Sequence, residues 1–566
     1  MTLLLILVFA IAVISLAERS VAHLGLAVAG LCFSAALLLF VVGDAGRAIL
    51  LASMLAAAVS GASMVKYKHS GLKLVVTDLP LAFAGTVPFL VVQYPLAVVE
   101  VVTGGVALAC AGIATLLYVQ GSPVSFGWQI VIFIAALAGL VAAYRVGGGT
   151  VAFQPIAIQR RCFLSALIAS LLDPRSWRQF GRLELCDIAS ERLPLMPAVP
   201  ARTLMYPDII VIQHESIFDP RTYGLPVEPG VAAFLSPAHG CYGSLNVDIF
   251  GGGSWQSEFS LLTGLSSASF GSNAYYLFKR GVGRFHHSLP NWLTSLGYRT
   301  VLTSSCRRDF LNYDAFYRAI GIGDRMFADD FPPPFDVNRF ETTSSDAVFL
   351  DAAIGAHVRR IAEDASPRFL YALTNFNHGP HSRRLVAPGH FESERAFALS
   401  SNPDPNYAEY YSRLAETAAT WSRLRAGLAA RFPDRPMLVI HYGDHQPVMT
   451  RRIEAKCRLA PDARRQFRTF YAIEALNGAA DGLVAGRGRA LDIAFLGTVA
   501  LQLAGLPLDE IFATRASLLD QCGEAYFASS SERKRRFHRT LVECGAIDVA
   551  GARDIGVRPL VSLSKS

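Results

Sequence analysis

The chain has 566 residues, 52 of them Lys or Arg and 45 Asp or Glu, for a formal net charge of +7. That length exceeds one average domain, so at least two regions are expected. The positive excess is too small and too scattered for a nucleic-acid-binding protein, and the nine dispersed cysteines lack the CxxC spacing of zinc-finger or thioredoxin-type sites.

Charge is unevenly placed. Residues 1–145 hold six basic residues (Arg19, Arg47, Lys66, Lys68, Lys73, Arg145) and four acidic ones (Glu18, Asp44, Asp78, Glu100). Uncharged apolar runs at about 1–17, 21–43, 48–65, 79–99, 101–119 and 127–144 approach the roughly 20 residues that cross a bilayer core, so a bundle of six spans, or five, is expected. The first run has no basic segment before it and no clear cleavage site after it, and reads as an uncleaved anchor. Lys66-Tyr67-Lys68-His69 through Lys73 is the one basic loop among the runs, which assigns it to the cytoplasm. Counting crossings from that loop puts everything after Arg145 outside the cytoplasm, as in a bacterial inner (plasma) membrane protein with a periplasmic or extracellular soluble part.

Residues 146–204 read as a juxtamembrane connector. Its apolar piece, 162–172, lies between Arg160, Arg161 and Arg175 and is too short to span. A helix lying on the membrane surface and a buried packing helix remain equal alternatives for it. From Tyr206 onward short apolar runs alternate with longer helical patterns, which predicts an α/β domain with a mainly parallel central sheet over 205–525. Strands are expected at 209–213, 299–304, 369–374 and 437–442, and helices at 345–364, 407–431 and 491–503. The run 332–334 (Pro-Pro-Pro) reads as a loop. In the C-terminal extension, 526–566, the basic run 532–539 reads as a solvated helical face.

In parallel α/β sheets the ligand site forms at the carboxyl ends of the strands. After the first strand comes Gln213-His214-Glu215-Ser216; after the third, Asn375-Phe376-Asn377-His378-Gly379-Pro380-His381; after the fourth, Gly443-Asp444-His445-Gln446-Pro447. A glycine turn, Gly251-Gly252-Gly253, leads through Ser254 into a helical pattern. Taken singly, Glu215 reads as a salt-bridged surface group, Asp444-His445 as a capped turn and Ser254 as an ordinary helix start. Taken together they supply hard oxygen and imidazole ligands for a divalent ion such as Mn2+, Mg2+ or Zn2+. They also supply a hydroxyl nucleophile at a helix N-terminus, where an incoming phosphate is stabilised. That combination asks for phosphoryl or sulfuryl transfer.

The joint pattern HxES, GGGSxxSEFxxLxGL, NFNHGP and YGDHxP resembles the lipoteichoic acid synthase and phosphoglycerol transferase family of the alkaline phosphatase (sulfatase-like) superfamily, over roughly residues 205–510. The resemblance implies that Glu215, Ser254, Asp444 and His445 hold one metal ion, Mn2+ first, with Mg2+ or Zn2+ as alternatives. It places Ser254 where these synthases have a threonine nucleophile, and His378 where they have a histidine facing the substrate phosphate or leaving group. Where the synthases carry a histidine and a Trp-x-Arg segment, this chain has Ser304 and Leu311-Asn312-Tyr313, so Arg307, Arg308 and Tyr313 become the substrate-binding candidates and the phosphatidylglycerol preference does not transfer. A formylglycine-type sulfatase is disfavoured, because Ser254-Trp255-Gln256-Ser257-Glu258 lacks the Pro and Arg of the Cys/Ser-x-Pro-x-Arg motif. The expected activity is transfer of a phosphoglycerol or phosphoethanolamine group from a membrane phospholipid to an extracytoplasmic glycan or lipid, through a Ser254-linked intermediate. Hydrolysis on the same site, or a catalytically silent lipid-binding regulator, are the alternatives.

Overall fold

Long runs of Leu, Val, Ala and Ile form helices in an apolar surrounding because every backbone donor must find its acceptor within the segment. Four of the runs do so: α1 (Val21–Val42), α2 (Ala45–Ser70), α3 (Pro95–Tyr118) and α4 (Phe126–Ala143). Each contains a stretch long and apolar enough to cross a membrane. The computed structural model describes residues 11, 14–15, 18, 21–70, 73–78, 95–118, 121–148, 162–178, 183–308, 310–331, 344–457, 459–462, 464–478, 483–523, 526 and 531–549. Most of the expected run 1–17, the first part of the run 79–99 and the loop at 332–334 lie outside them.

Two boundaries differ from expectation. Helix α3 begins at Pro95, whose missing N–H costs nothing in a first turn, and runs through the break expected near Glu100. Helix α2 continues to Ser70, so Lys66 and Tyr67 are helical, and Lys66 pairs with Asp78 at 2.7 Å. The short apolar piece forms α5 (Phe163–Leu172), with Phe163, Leu164, Ala166, Leu167 and Ala169 buried. Its first amides, on Leu164 and Ser165, donate to Glu18 at 2.9 and 3.1 Å. It is therefore the buried packing helix of the two alternatives, capped by a carboxylate from elsewhere in the chain.

The described residues form two compact units, Met1–Arg182 and Leu183–Ser566. In the second, β1 (Asp208–His214) is buried along its whole length. Ile209 and Val211 enter one core with Leu438 and Tyr371, whereas Ile210 and Ile212 enter another with Leu370 and Val439. Burial on both faces explains why this run is continuously apolar rather than alternating. The remaining strands are β2 (Gly240–Asn246), β3 (Arg299–Ser304), β4 (Asp324–Met326), β5 (Arg368–Leu373), β6 (Met437–Gly443), β7 (Arg468–Leu476), β8 (Gly486–Arg487) and β9 (Leu491–Asp492). Their order is β4-β3-β5-β1-β6-β7-β2-β8, with β9 on β2. All four expected strands are present and mutually parallel, whereas β7 runs antiparallel to both β6 and β2. The sheet is mainly parallel but mixed.

Helices α6 (Ser254–Thr263) and α9 (Ile493–Leu503) contribute Phe259, Leu262, Phe495 and Leu496 to the core on the Ile209 face. Helices α7 (Asp346–Glu363) and α8 (Pro405–Arg431) contribute Phe349, Leu350, Tyr410, Tyr411 and Trp421 to the core on the Ile210 face. The expected solvated face at 532–539 is corrected. In α10 (Glu532–Glu543), Phe537 and Leu541 stand one turn apart and enter the Ile209-side core, drawing Lys534, His538 and Arg539 under cover. Asp187 balances Lys534 at 2.9 Å and its carbonyl oxygen lies 2.6 Å from His538 Nδ1.

At the carboxyl end of β6, a Cβ added at Gly443 would overlap the backbone carbonyl of Ile217, which cannot rotate away. Gly443→Ala is expected to destabilise the α/β unit by about 1–3 kcal/mol, the usual cost of overpacking. Thermal unfolding of the full chain reads this as a lowered Tm, and an unchanged Tm would contradict the packing at this strand end.

Candidate active site and metal centre

Strand register brings the site together. His214 of β1 lies opposite Gly443 of β6, so Glu215 and Asp444 leave adjacent parallel strands side by side. Ser216 then turns with φ of 55°, a left-handed conformation uncommon for a residue with a Cβ and typical of functional turns. The turn lets the Ser216 amide donate to Asp444 Oδ1 at 2.7 Å and its hydroxyl donate to Glu215 Oε1 at 2.7 Å.

The nucleophile candidate arrives from the other direction. Gly251, Gly252 and Gly253 have φ of 79°, 141° and 95°, a succession that residues with a Cβ rarely adopt. This turn delivers Ser254 as the first residue of α6, while Gly251 N donates to Gln446 O at 2.9 Å and Ser257 Oγ to Asp444 O at 2.7 Å. The helix start is thereby fastened to the segment after β6. Ser254 Oγ donates to Glu215 Oε2 at 2.9 Å and lies 3.4 Å from His445 Nε2. That nitrogen is 3.3 Å from Glu215 Oε1 and 3.6 Å from Asp444 Oδ2. Ligand atoms of Glu215, Asp444 and His445 all lie within 4.8 Å of one another, and all three residues are buried.

Two buried carboxylates so close demand positive charge. Burial disfavours the charge of Glu215, yet the facing His445, with His378 and Ser216 behind it, holds this carboxyl well below the usual range. Burial, then the charge of Glu215, pushes Asp444 up to about 7. Burial opposes the imidazolium of His445, but Asp444 and Glu215 prevail and raise it to about 9. Asp444 Oδ2 is sealed from solvent and accepts no hydrogen bond of ordinary geometry among the described residues. An orphaned carboxylate oxygen beside an imidazole, a second carboxylate and a hydroxyl fits a divalent cation, which Glu215, Asp444 and His445 could hold with the Ser254 hydroxyl beside them.

His378 stands in the loop after β5, half-buried, with Nδ1 2.7 Å from Gly379 O, which favours a proton on Nδ1 and leaves proton exchange to Nε2. Its charge is felt at Glu215. Arg307, also half-buried, follows β3. The Arg308 guanidinium binds Asp314 at 2.9 Å and Asp330 at 2.6 Å and lies over the Phe327 ring. Tyr313 is fully buried, its hydroxyl 3.5 Å from Glu258 Oε1, so it lies beneath the site and presents no exposed donor.

Glu258 itself escaped the sequence reading. One turn along α6 from Ser254, its carboxyl accepts from Gln213 Nε2 at 3.0 Å and meets Tyr317, while Tyr371 and Tyr442 donate to Gln213 Oε1 at 3.1 and 2.6 Å. Burial raises its pKa to about 8 despite the Tyr317 and Gln213 bonds, so it is neutral beneath the charged site. A signal was present: Glu258 directly precedes Phe259 in a helix whose following turn, Leu261-Leu262, is apolar, and a carboxyl buried there survives only if bonded.

Residues 207–468 match the family model described as Sulfatase. The matched residues lie within the α/β unit. Among curated proteins, an uncharacterised protein of Haemophilus influenzae is 24% identical over 332 residues, 58% of each chain. The capsular polysaccharide biosynthesis protein RkpI of Rhizobium meliloti is 27% identical over 244 residues, 43% of this chain and 42% of its own. The chain spans about half the length of these relatives. Among solved structures, lipooligosaccharide phosphoethanolamine transferase A (EptA) of Neisseria meningitidis aligns over 86% of this chain and 96% of its own, at 12% identity and a TM-score of 0.49. The phosphoglycerol transferase GacH of Streptococcus pyogenes, in complex with sn-glycerol-1-phosphate, aligns over 61% and 81% at 17% identity and a TM-score of 0.44.

A carboxyl whose pKa is raised on folding stabilises the fold fully below its unfolded value and loses that contribution as pH rises toward the folded one. For Glu258 the loss runs from the ordinary carboxylate range up to about 8. Glu258→Gln keeps the shape and a neutral end group, so its Tm relative to the parent is expected to rise between about pH 5 and about pH 8. Parallel pH profiles would contradict a neutral Glu258.

Proposed function

We propose that this chain is a membrane-anchored phosphotransferase that moves a phosphoglycerol or phosphoethanolamine group from a phospholipid to an extracytoplasmic glycan or lipid. The observation that carries this reading is the placement of the Ser254 hydroxyl at a helix N-terminus, 2.9 Å from Glu215 and 3.4 Å from His445, in a sulfatase-family domain without a formylglycine motif. The four apolar helices supply the anchor and put lipid donor at high effective concentration.

Glu215 accepts the Ser254 hydrogen bond, orients the oxygen for attack on phosphorus and takes its proton as the attack proceeds. Ser254 Oγ forms a bond to phosphorus as the bond to the diacylglycerol oxygen breaks, and the departing oxygen takes the Nε2 proton of the His378 imidazolium. The amides at the start of α6 face the negative charge that develops on the phosphoryl oxygens. An acceptor hydroxyl, losing its proton to His378, then displaces Ser254, whose oxygen recovers its proton from Glu215. Glu215, Ser254, Asp444 and His445 would hold a divalent cation, Mn2+ in preference to Mg2+ or Zn2+, which when bound would supply Lewis acidity toward the serine oxygen and the phosphate. Counting crossings from the basic loop with the run 79–99 as a span of its own supports a periplasmic or extracellular position for the catalytic part, 205–525, at the inner membrane. The capsular polysaccharide name of one relative accords with a surface glycan as acceptor.

Purified full chain with Mn2+ and phospholipids labelled in the headgroup tests this. Ser254→Ala, Glu215→Ala and Asp444→Asn are each expected to lower headgroup release by more than about 1,000-fold. Undiminished release in all three removes the assignment. Product analysis with and without glycan distinguishes transfer from hydrolysis.

A further inference from the structure

The segment that carries His378 leaves β5 at Leu373 and meets no regular element until the helix Glu392–Ser401. A side chain on such a stretch is positioned only if its backbone is held from outside. Arg413 of α8 does this. It is fully buried, and Nη1 donates to the carbonyl oxygens of Phe376 at 3.1 Å and His378 at 2.9 Å, while Nη2 donates to that of Arg383 at 2.5 Å. Its Nε donates to Glu409 Oε1 at 2.9 Å, and that oxygen also accepts from the amides of Leu385 at 2.8 Å and Val386 at 3.4 Å. The other oxygen of Glu409 is held by Arg395. One turn further along α8, Thr417 accepts from Asn377 Nδ2 at 3.2 Å and donates to Asp346 at 2.7 Å.

Three carbonyl oxygens spread over eight residues and one carboxylate match the rigid, planar fork of a guanidinium, and a lysine ammonium supplies its donors from a single point. Burying an ion pair costs more than burying apolar side chains of like volume, so the contribution of this pair is geometric. We propose that Arg413 is a positioning residue for His378: with Glu409 it fixes the backbone on both sides of the imidazole, and so sets the ring's orientation toward the phosphorus centre at Ser254. This rests on the reading that Ser254 and His378 act on one phosphoryl group. None of the four proposed metal ligands contacts Arg413 in the bonds above, so the clamp and the cation site are separable.

The test uses the full chain in lipid nanodiscs, with Arg413→Lys, Arg413→Met, His378→Ala and the double variant Arg413→Lys/His378→Ala. Three quantities are measured: Mn2+ affinity by calorimetry, amide hydrogen exchange of segment 375–386, and headgroup release from phospholipid. Arg413→Lys is expected to leave Mn2+ affinity within about twofold, to speed exchange of 375–386 selectively, and to lower kcat by about 100-fold with little change in KM. In the His378→Ala background it is expected to add no further loss, as residues acting through one another do. Additive losses, or unchanged exchange at 375–386, overturn the role. So does a loss of Mn2+ affinity and global stability in both Arg413 variants that accounts for the lost rate. A parent chain that releases no headgroup sinks the reaction and the role with it, whereas an active parent with an indifferent Arg413 sinks the role alone.

Discussion

Two buried carboxylates, Glu215 and Asp444, share one positive partner, His445, at the carboxyl edge of a sheet, and this arrangement is stable only when further positive charge or protons are supplied. The neighbouring geometry serves that constraint. Parallel pairing of β1 with β6 sets the two carboxylates side by side. The left-handed Ser216 turn spends one oxygen of each on a local donor, which leaves the others directed at His445 and Ser254. The same demand that raises His445 to about 9 is the demand a divalent cation satisfies.

The Ser254 hydroxyl is held by a different logic. Three positive-φ glycines bring the chain sharply into α6, whose first turn is then fastened to the segment after β6 through Ser257. Beneath it, a neutral Glu258 ties the helix to Gln213 and, through Gln213, to Tyr371 and Tyr442 on the flanking strands. A charged carboxylate there would add a third negative group to the site; a protonated one gives rigidity without that penalty. The loop bearing His378 has its own support in Arg413 and Glu409.

What the sequence disclosed and what it concealed follow from these roles. The central strands were legible because burial on both faces writes a continuous apolar run, as at Ile209 to Ile212, and the polar residues directly after such runs mark the site. Strand β2 was not, because Gly240-Cys241-Tyr242-Gly243-Ser244 has no alternation and no β-branched residue. Glu258, Gln213 and Arg413 were hidden for another reason: a buried polar side chain is recognisable only through partners distant along the chain. The basic run at 532–539 misled because Phe537 and Leu541, spaced one turn apart, outweigh the charges around them once Asp187 is brought to Lys534. Arg308 and Tyr313 looked available for a substrate, yet Arg308 is spent on Asp314 and Asp330, and Tyr313 is buried against Glu258.

The central claim is that Glu215, Ser254, Asp444 and His445 converge on one cation. Crystals of the α/β unit or of the full chain grown with Mn2+, measured near the manganese absorption edge, test it most directly. The account predicts a single strong anomalous peak within about 2.0–2.5 Å of an oxygen or nitrogen from each of these four side chains. A clean map with those side chains well ordered and no peak between them, or with the ion bound elsewhere, would contradict it.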